Sequence, residues 1–395
     1  MQTVQTISRR TALRRIVQSS LLTSAALALP GQACAANVDW DKVVVLLELK
    51  GGNDGLNTVV PFTDPIYRKI RPTLALAQDQ VINVTEQLGF NPVLAPLMPL
   101  WKEQQMATIL GVGYPKPNLS HFRGIDIWHT ASDSEEYLEQ GWISRLFSES
   151  RPERHYGADA INLGRRDQGP LAGNDARLIS FGSKPEKILS QAGKLKLGET
   201  STGNPALKHL LKVRGDLKSA AEHIIERKIA DVTVPGKFPE TNLGAQFETA
   251  ARLLSAGVKV PVLKLSIGGF DTHIEQRETQ DELLSDMATS IAVFADALKK
   301  IGLWNNVVVM SYSEFGRRPL ENDSLGTDHG TSSPQFLFGG RVRGGIYGEQ
   351  PSLAEFENNN LKHSIHFRSI YAAVARDWWS LKAAHFNEQP LHLIS

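Results

Sequence analysis

The chain has a single cysteine, Cys34, and therefore no means of closing an intrachain disulfide or building a thiolate metal cage. It lacks a charge excess as well. Lys plus Arg number 43 and Asp plus Glu 42, a formal net charge of +1, which argues against a nucleic-acid partner, whose phosphates call for a clustered basic surplus. No uninterrupted apolar run reaches the length that crosses a ~30 Å hydrocarbon core. The apolar stretch at residues 16–30 is broken by Gln18, Ser19 and Ser20. Stability is expected from core burial, which a chain of 395 residues supplies in one large domain or two.

What is present begins at the N-terminus. Arg9, Arg10, Arg14 and Arg15 precede the apolar stretch, and Ala33-Cys34-Ala35 follows it. Basic, apolar and small-residue segments in that order make a secretory signal with an Ala-x-Ala cleavage site. Ser8-Arg9-Arg10-Thr11-Ala12-Leu13 resembles the twin-arginine (Tat) pattern, with Ala12 where an aromatic usually stands. Residues 1–35 are thus expected to be a Tat signal peptide, and the Tat translocase a partner during export to the periplasm or beyond. Removal of that segment lowers Lys plus Arg to 39 against 42 acidic residues, a formal charge of −3, and removes the cysteine. A lipoprotein alternative at Cys34 is weakened by Gly31, where an apolar residue is expected.

From there, strand-like and helix-like segments alternate. Residues 43–49 (VVVLLEL) read as a buried parallel strand ending in the turn Gly51-Gly52-Asn53-Asp54-Gly55. Residues 91–102 read as a helix, 107–112 as a strand, and 120–129 as a helix after a proline-rich loop. Residues 260–267, 306–311 and 336–338 read as strands. A helix at 281–300 carries Leu284, Met287, Ile291, Phe294 and Leu298 at three- and four-residue spacing. Residues 182–240 are polar and Lys-rich, with the texture of an inserted cap. Such alternation predicts an α/β three-layer sandwich with a mostly parallel central sheet over residues 36–395.

Polar clusters recur where these strands end, the place where open α/β sheets bind ligands. They are the Gly51–Gly55 turn, Asn118-Leu119-Ser120-His121, Gly269-Phe270-Asp271-Thr272-His273, Ser313-Glu314-Phe315-Gly316-Arg317-Arg318, and Gly326-Thr327-Asp328-His329-Gly330. Each has a plain structural reading: Ser120 or Asp271 as a helix cap, Asp328-His329 as a turn, Glu314 paired with Arg317 or Arg318 on the surface. Taken together they have the composition of a thiol-free metal site, since carboxylate and imidazole are what such a site uses for Zn²⁺, Mn²⁺, Mg²⁺ or Ca²⁺.

The motifs LxGGNDGLNTVVP, GVGYPxPNxSHFR, GGFDTH, SEFGRR and GTDHG resemble the family catalogued as domain of unknown function 1501, grouped with the alkaline phosphatase and sulfatase superfamily. That resemblance implies an alkaline-phosphatase-like fold. It also implies metal ligands at Asp54 (or Asn53), Asp271, His273, Glu314, Asp328 and His329, with Ser120 as nucleophile and Arg123 or Arg317 as an oxyanion clamp. Two departures stand out. Asp-x-His is tighter than the superfamily's Asp-x-x-x-His, and Phe315 stands where a ligating His is usual, which leaves a second metal site dependent on Asp328 or His121.

The leading expectation is an exported, metal-dependent hydrolase of a phosphate or sulfate ester on a small molecule or glycan. The alternative is a non-catalytic envelope or polysaccharide-binding protein on the same fold. A redox protein fits poorly, because Gly339-Gly340-Arg341-Val342-Arg343-Gly344-Gly345 is no dinucleotide fingerprint.

Overall fold

The computed structural model describes residues 38–395 except 153–155, 157, 165–166, 174–175, 181–202, most of 205–228 and 384. The expected signal peptide and the body of the expected 182–240 insert lie outside the described residues. Among the described residues no helix is long and apolar enough to cross a membrane.

Strand β1 (Val43–Lys50) is buried almost throughout, as a continuous apolar run in the middle of a parallel sheet must be. After the short β2 (Val59–Val60), β3 (Ile82–Asn83) and β4 (Gly89–Phe90), which form a small antiparallel sheet of their own, the main sheet continues. It adds β5 (Met106–Gly113), β6 (Ala160–Asn162), β7 (Leu178–Ser180), β8 (Val262–Gly268), β9 (Val307–Tyr312), β10 (Ser333–Phe338) and β11 (Gly345–Tyr347). A hairpin of β12 (Phe356–Glu357) and β13 (Asn360–Leu361) precedes β14 (Ile365–His366), which returns to pair with β5. The strand order is β11-β5-β10-β9-β1-β8-β6-β7, and every pairing is parallel except those of β10 with β5 and β9.

The helices are α1 (Pro65–Ile70), α2 (Met98–Lys102), α3 (His121–Thr130), α4 (Trp142–Glu149), α5 (Asn242–Ser255), α6 (Gln276–Lys300) and α7 (Phe367–Ala373). Side chains alternate along each strand, so the sheet has two coats. Leu47, Leu49, Leu263, Leu265 and Val309 face α5 and α6, whose Phe247, Leu284, Met287, Ile291, Phe294 and Leu298 complete that core. The opposite face is covered by α3, α4 and α7, where Trp142 stacks on Tyr371 at 4.2 Å and the Tyr371 hydroxyl donates to the Trp128 carbonyl. Each fully buried Leu, Ile or Phe contributes about 1.5–3 kcal/mol. The layered, mostly parallel sheet expected from the sequence is the one observed. The helix at 91–102 differs: its first half, Pro92–Leu97, is a 3₁₀ turn, because Pro96 has no amide for an α-helical bond.

All the strands that matter for chemistry end at one edge. β1, β5, β8 and β9 run parallel and deliver their carboxyl ends there, and the antiparallel β10 starts there. Gly51 (φ +121°) and Gly52 (φ +86°) let the chain leaving β1 press against its neighbours. A Cβ on Gly51 would stand 2.3 Å from the Asp271 amide nitrogen.

Candidate metal centre

Three histidines and one aspartate converge at that edge. Asp271 lies in the loop after β8, His273 two residues on, His121 opens α3, and His329 lies on the return toward β10. Asp271 Oδ1 is 3.0 Å from His273 Nε2 and 3.1 Å from His329 Nε2, and Asp271 Oδ2 is 3.3 Å from His121 Nε2. The Nε2 atoms of His273 and His329 are 3.0 Å apart. His121, Asp271 and His329 each offer a ligand atom within 4.8 Å of the others.

The opposite nitrogen of each ring explains the orientation. His329 Nδ1 is 2.8 Å from the Leu119 carbonyl. A carbonyl cannot donate, so Nδ1 carries a proton, and Nε2 is the nitrogen turned toward Asp271. His121 Nδ1 is 2.9 Å from Glu314 Oε1, and His273 Nδ1 faces Asp328 Oδ1 at 3.5 Å. Carboxylates or carbonyls behind Nδ1, with Nε2 facing forward, are the arrangement that metal-binding histidines use. These outer partners are themselves fixed. Glu314 is fully buried and accepts the Gly51 amide at 2.9 Å.

Charge follows the same pattern. The hydrogen bond to Glu314 raises His121 above the ordinary imidazole value, against desolvation. Desolvation works to raise Asp271, but hydrogen bonds from Arg317 and His329 and the charge of Arg317 outweigh it and hold the carboxyl at about 2. Asp271 is thus a permanent carboxylate facing three imidazoles.

The structure redistributes several residues that the sequence placed at the centre. Asp54 is buried with both oxygens taken: Arg71 Nη1 and Nη2 donate at 2.6 and 2.9 Å, and Gln276 Nε2 at 2.5 Å. Its carboxylate is spent on an ion pair and points at no open site. Glu314 and Asp328 stand behind His121 and His273 as acceptors. Arg317, expected as an oxyanion clamp, is fully buried and donates to the carbonyls of Gly51, Gly52, Phe270 and Thr327 as well as to Asp271. It knits three strand ends together and has no open fork. Arg123 is turned away, bound to Asp126 and to the Asp133, Ser134 and Glu136 carbonyls beneath the Tyr137 ring. Glu314 is not a surface partner of Arg317 or Arg318. Phe315 packs its ring 4.6 Å from His329 and 4.9 Å from His121, as the apolar wall of the cluster.

Ser120 occupies the N-cap position of α3, yet its side chain makes no capping bond. Its hydroxyl is therefore not consumed by the helix, and the first-turn amides of α3 remain beside it as a natural seat for an anion. Exposed Phe122 and Ile274 follow His121 and His273 at the rim.

Sequence reading missed a second ionic group. Lys264, fully buried in β8, reaches Glu48 Oε2 at 3.1 Å and Asp167 Oδ1 at 2.7 Å, with His129 of α3 and the Tyr312 hydroxyl alongside. Glu48, His129 and Asp167 are grouped closely enough to ligate a cation, but the Lys264 ammonium already lies among them. Burial lowers His129 to about 3, so it is neutral. The available signal was two opposite charges, Glu48 and Lys264, each alone inside an apolar strand run.

No curated protein matches the sequence. Solved structures similar to the chain include the phosphonate monoester hydrolase of Agrobacterium radiobacter, at 10% identity over 88% of this chain and 76% of that one, TM-score 0.38. A protein in the alkaline phosphatase superfamily from Vibrio parahaemolyticus matches at 12% identity over 79% and 63%, TM-score 0.35. The C-terminal periplasmic domain of EptC from Escherichia coli, in complex with Zn, matches at 8% identity over 77% and 74%, TM-score 0.37. Likeness at these scores carries no argument about chemistry. Sequence does better: residues 111–378 match the DUF1501 family, described as proteins of unknown function, and the chain belongs to that family.

Proposed function

We propose that this protein is an exported, metal-dependent hydrolase of a phosphate or sulfate ester, with His121, Asp271, His273 and His329 as the ligands of one divalent ion. The observation that carries this reading is the convergence of three ligand atoms. His329 Nε2, Asp271 Oδ1 and His273 Nε2 lie within 3.1 Å of one another, and His329 Nδ1 donates to the Leu119 carbonyl on the far side. A carboxylate oxygen and two imidazole nitrogens gathered so closely are a donor set that suits a cation between them. Three nitrogens and one carboxylate suit Zn²⁺ or Mn²⁺ better than Ca²⁺, which prefers oxygen.

A bound ion would supply Lewis-acid polarisation of an ester oxygen and lower the pKa of a hydroxyl beside it. The rest belongs to this chain. The first-turn amides of α3 hold non-bridging oxygens of the phosphoryl or sulfuryl group. Ser120 Oγ, adjacent to His121 and unused as a cap, attacks phosphorus or sulfur as the bond to the leaving oxygen breaks. The hydroxyl proton passes to solvent or to the departing alkoxide. Water then cleaves the seryl ester and regenerates Ser120. Arg317 holds Asp271 and the strand ends in place.

The test is metal analysis of the purified protein, followed by a screen of phospho- and sulfo-esters with Ser120→Ala as control. Full activity in Ser120→Ala removes the nucleophile, and a protein that takes up no divalent ion removes the mechanism.

A further inference from the structure

Beside the cluster runs a groove of about 650 Å³ between the loop that carries Tyr114 and Leu119 and the β12–β13 hairpin, within the ~300–1,000 Å³ range of ligand sites. Two of its lining residues tie it to the metal centre. Leu119 lies two residues before His121 and holds His329 through its carbonyl, and Thr331 lies two residues after His329. The far wall is braced, because the Thr331 hydroxyl donates to the Leu361 carbonyl at 2.5 Å, and Asn358 and Asn359 (φ +52° and +62°) turn the hairpin tightly.

The groove's chemistry is specific. Asn360 is 7% exposed; its Nδ2 donates to the Asn358 carbonyl at 2.9 Å, while its Oδ1 is buried with no donor. Lys116 and Lys362 flank the opening, paired with Glu135 and Glu355 at 3.0 and 3.1 Å. Those pairs are solvent-exposed, a class that contributes about 0–1 kcal/mol, so each lysine can exchange its carboxylate for a ligand anion. The groove thus offers two cations for an acid group, with Glu357 also in its lining, next to the point where an ester would be cleaved.

We propose that this groove is the leaving-group subsite and takes the saccharide portion of an anionic glycan ester, with a sulfate or carboxylate between Lys116 and Lys362. The assignment of leaving group rests on the hydrolase reading above; the binding of an anionic glycan does not.

The experiment is calorimetric titration of the metal-loaded protein with a dextran sulfate oligosaccharide and with unsulfated dextran of the same length. Wild type is expected to bind the sulfated chain more tightly. Lys116→Ala/Lys362→Ala is expected to bind it about fivefold or more weakly, with an unchanged circular dichroism spectrum. Lys237→Ala, which alters a more exposed lysine elsewhere, is expected to have no effect. Absence of binding by wild type, equal binding by the double variant, or an equal loss in Lys237→Ala overturns the subsite. Cleavage of a p-nitrophenyl ester without oligosaccharide binding leaves the hydrolase standing and removes the groove. Lysine-dependent binding without turnover of any ester supports the groove and removes the hydrolase.

Discussion

Glu314 Oε1 accepts the Nδ1 proton of His121 at 2.9 Å across 193 positions of sequence. One buried carboxylate therefore sets which nitrogen of His121 faces Asp271. Losing such an outer partner typically costs about 10–100-fold in metal affinity. Glu314→Gln is expected to bind Zn²⁺ that much more weakly at neutral pH while remaining folded, measured by competition with a chromogenic chelator. Unchanged affinity would show that the contact only packs.

The same pair sets the response to acid. Glu314 raises His121, and imidazole must lose its proton to ligate. Metal affinity is expected to fall on acidification from a pH above the ordinary imidazole value. In Glu314→Gln the raising partner is gone, so proton competition begins at lower pH even though neutral affinity is poorer. Metal titrations across pH check the crossing trends, and an acid limb that does not move between the two proteins refutes the coupling.

Asp54 and Arg71 form a fully buried pair at 2.6 Å. Removing one partner of such a pair costs about 3–5 kcal/mol, because the other is left charged and unpaired. Arg71→Met is expected to lower stability by that amount in urea unfolding. Metal binding by the folded fraction should survive, since Asp54 is outside the proposed ligand set. Metal loss at full stability would return Asp54 to that set.

Lys264 and Glu48 give a pH prediction with a definite sign. Desolvation raises Glu48 above the carboxylate value of 4.5, against the opposing charge of Lys264. A carboxyl raised in the folded state stabilises it most below the unfolded value, and that contribution is lost as pH rises through the folded value. The stability of wild type relative to Glu48→Gln is therefore expected to decline from about pH 4.5 upward. Denaturation curves at several pH values measure it, and a flat difference excludes a raised Glu48. Lys264→Ala, which leaves two carboxylates facing each other, is expected to be less stable than Glu48→Gln near neutral pH.

Export is testable without the fold. Arg9→Lys/Arg10→Lys is expected to hold the protein in the cytoplasm if the N-terminal segment is read by the Tat translocase, with fractionation and immunoblotting as the readout. Unaltered export of the variant would point to a different route.

Much of the fold was legible because its signals are local. The apolar runs of β1, β8 and β9 and the spacing of Leu284, Met287, Ile291, Phe294 and Leu298 each lie within one element. Asp271, His273 and His329 were legible for a related reason: glycine-flanked polar residues after a strand mark an edge where side chains can gather. His121 entered only as a substitute, because its orientation depends on Glu314, far along the chain, and no motif joins the two. Asp54 was misplaced since Arg71, which consumes its charge, belongs to no motif. Lys264 was invisible as a partner because strand register, which brings β8 beside β1, is not written in either strand alone.

Arg317 donates to carbonyls from the ends of β1 and β8 while sitting at the end of β9 itself. The cluster it braces draws on residues 121, 271, 273 and 329, so a nascent chain cannot assemble it until synthesis has passed His329. On the proposed reading, ion capture is therefore a late event in the life of the molecule. A chain stopped short of His329 would leave the ribosome with most of its sheet and one histidine too few.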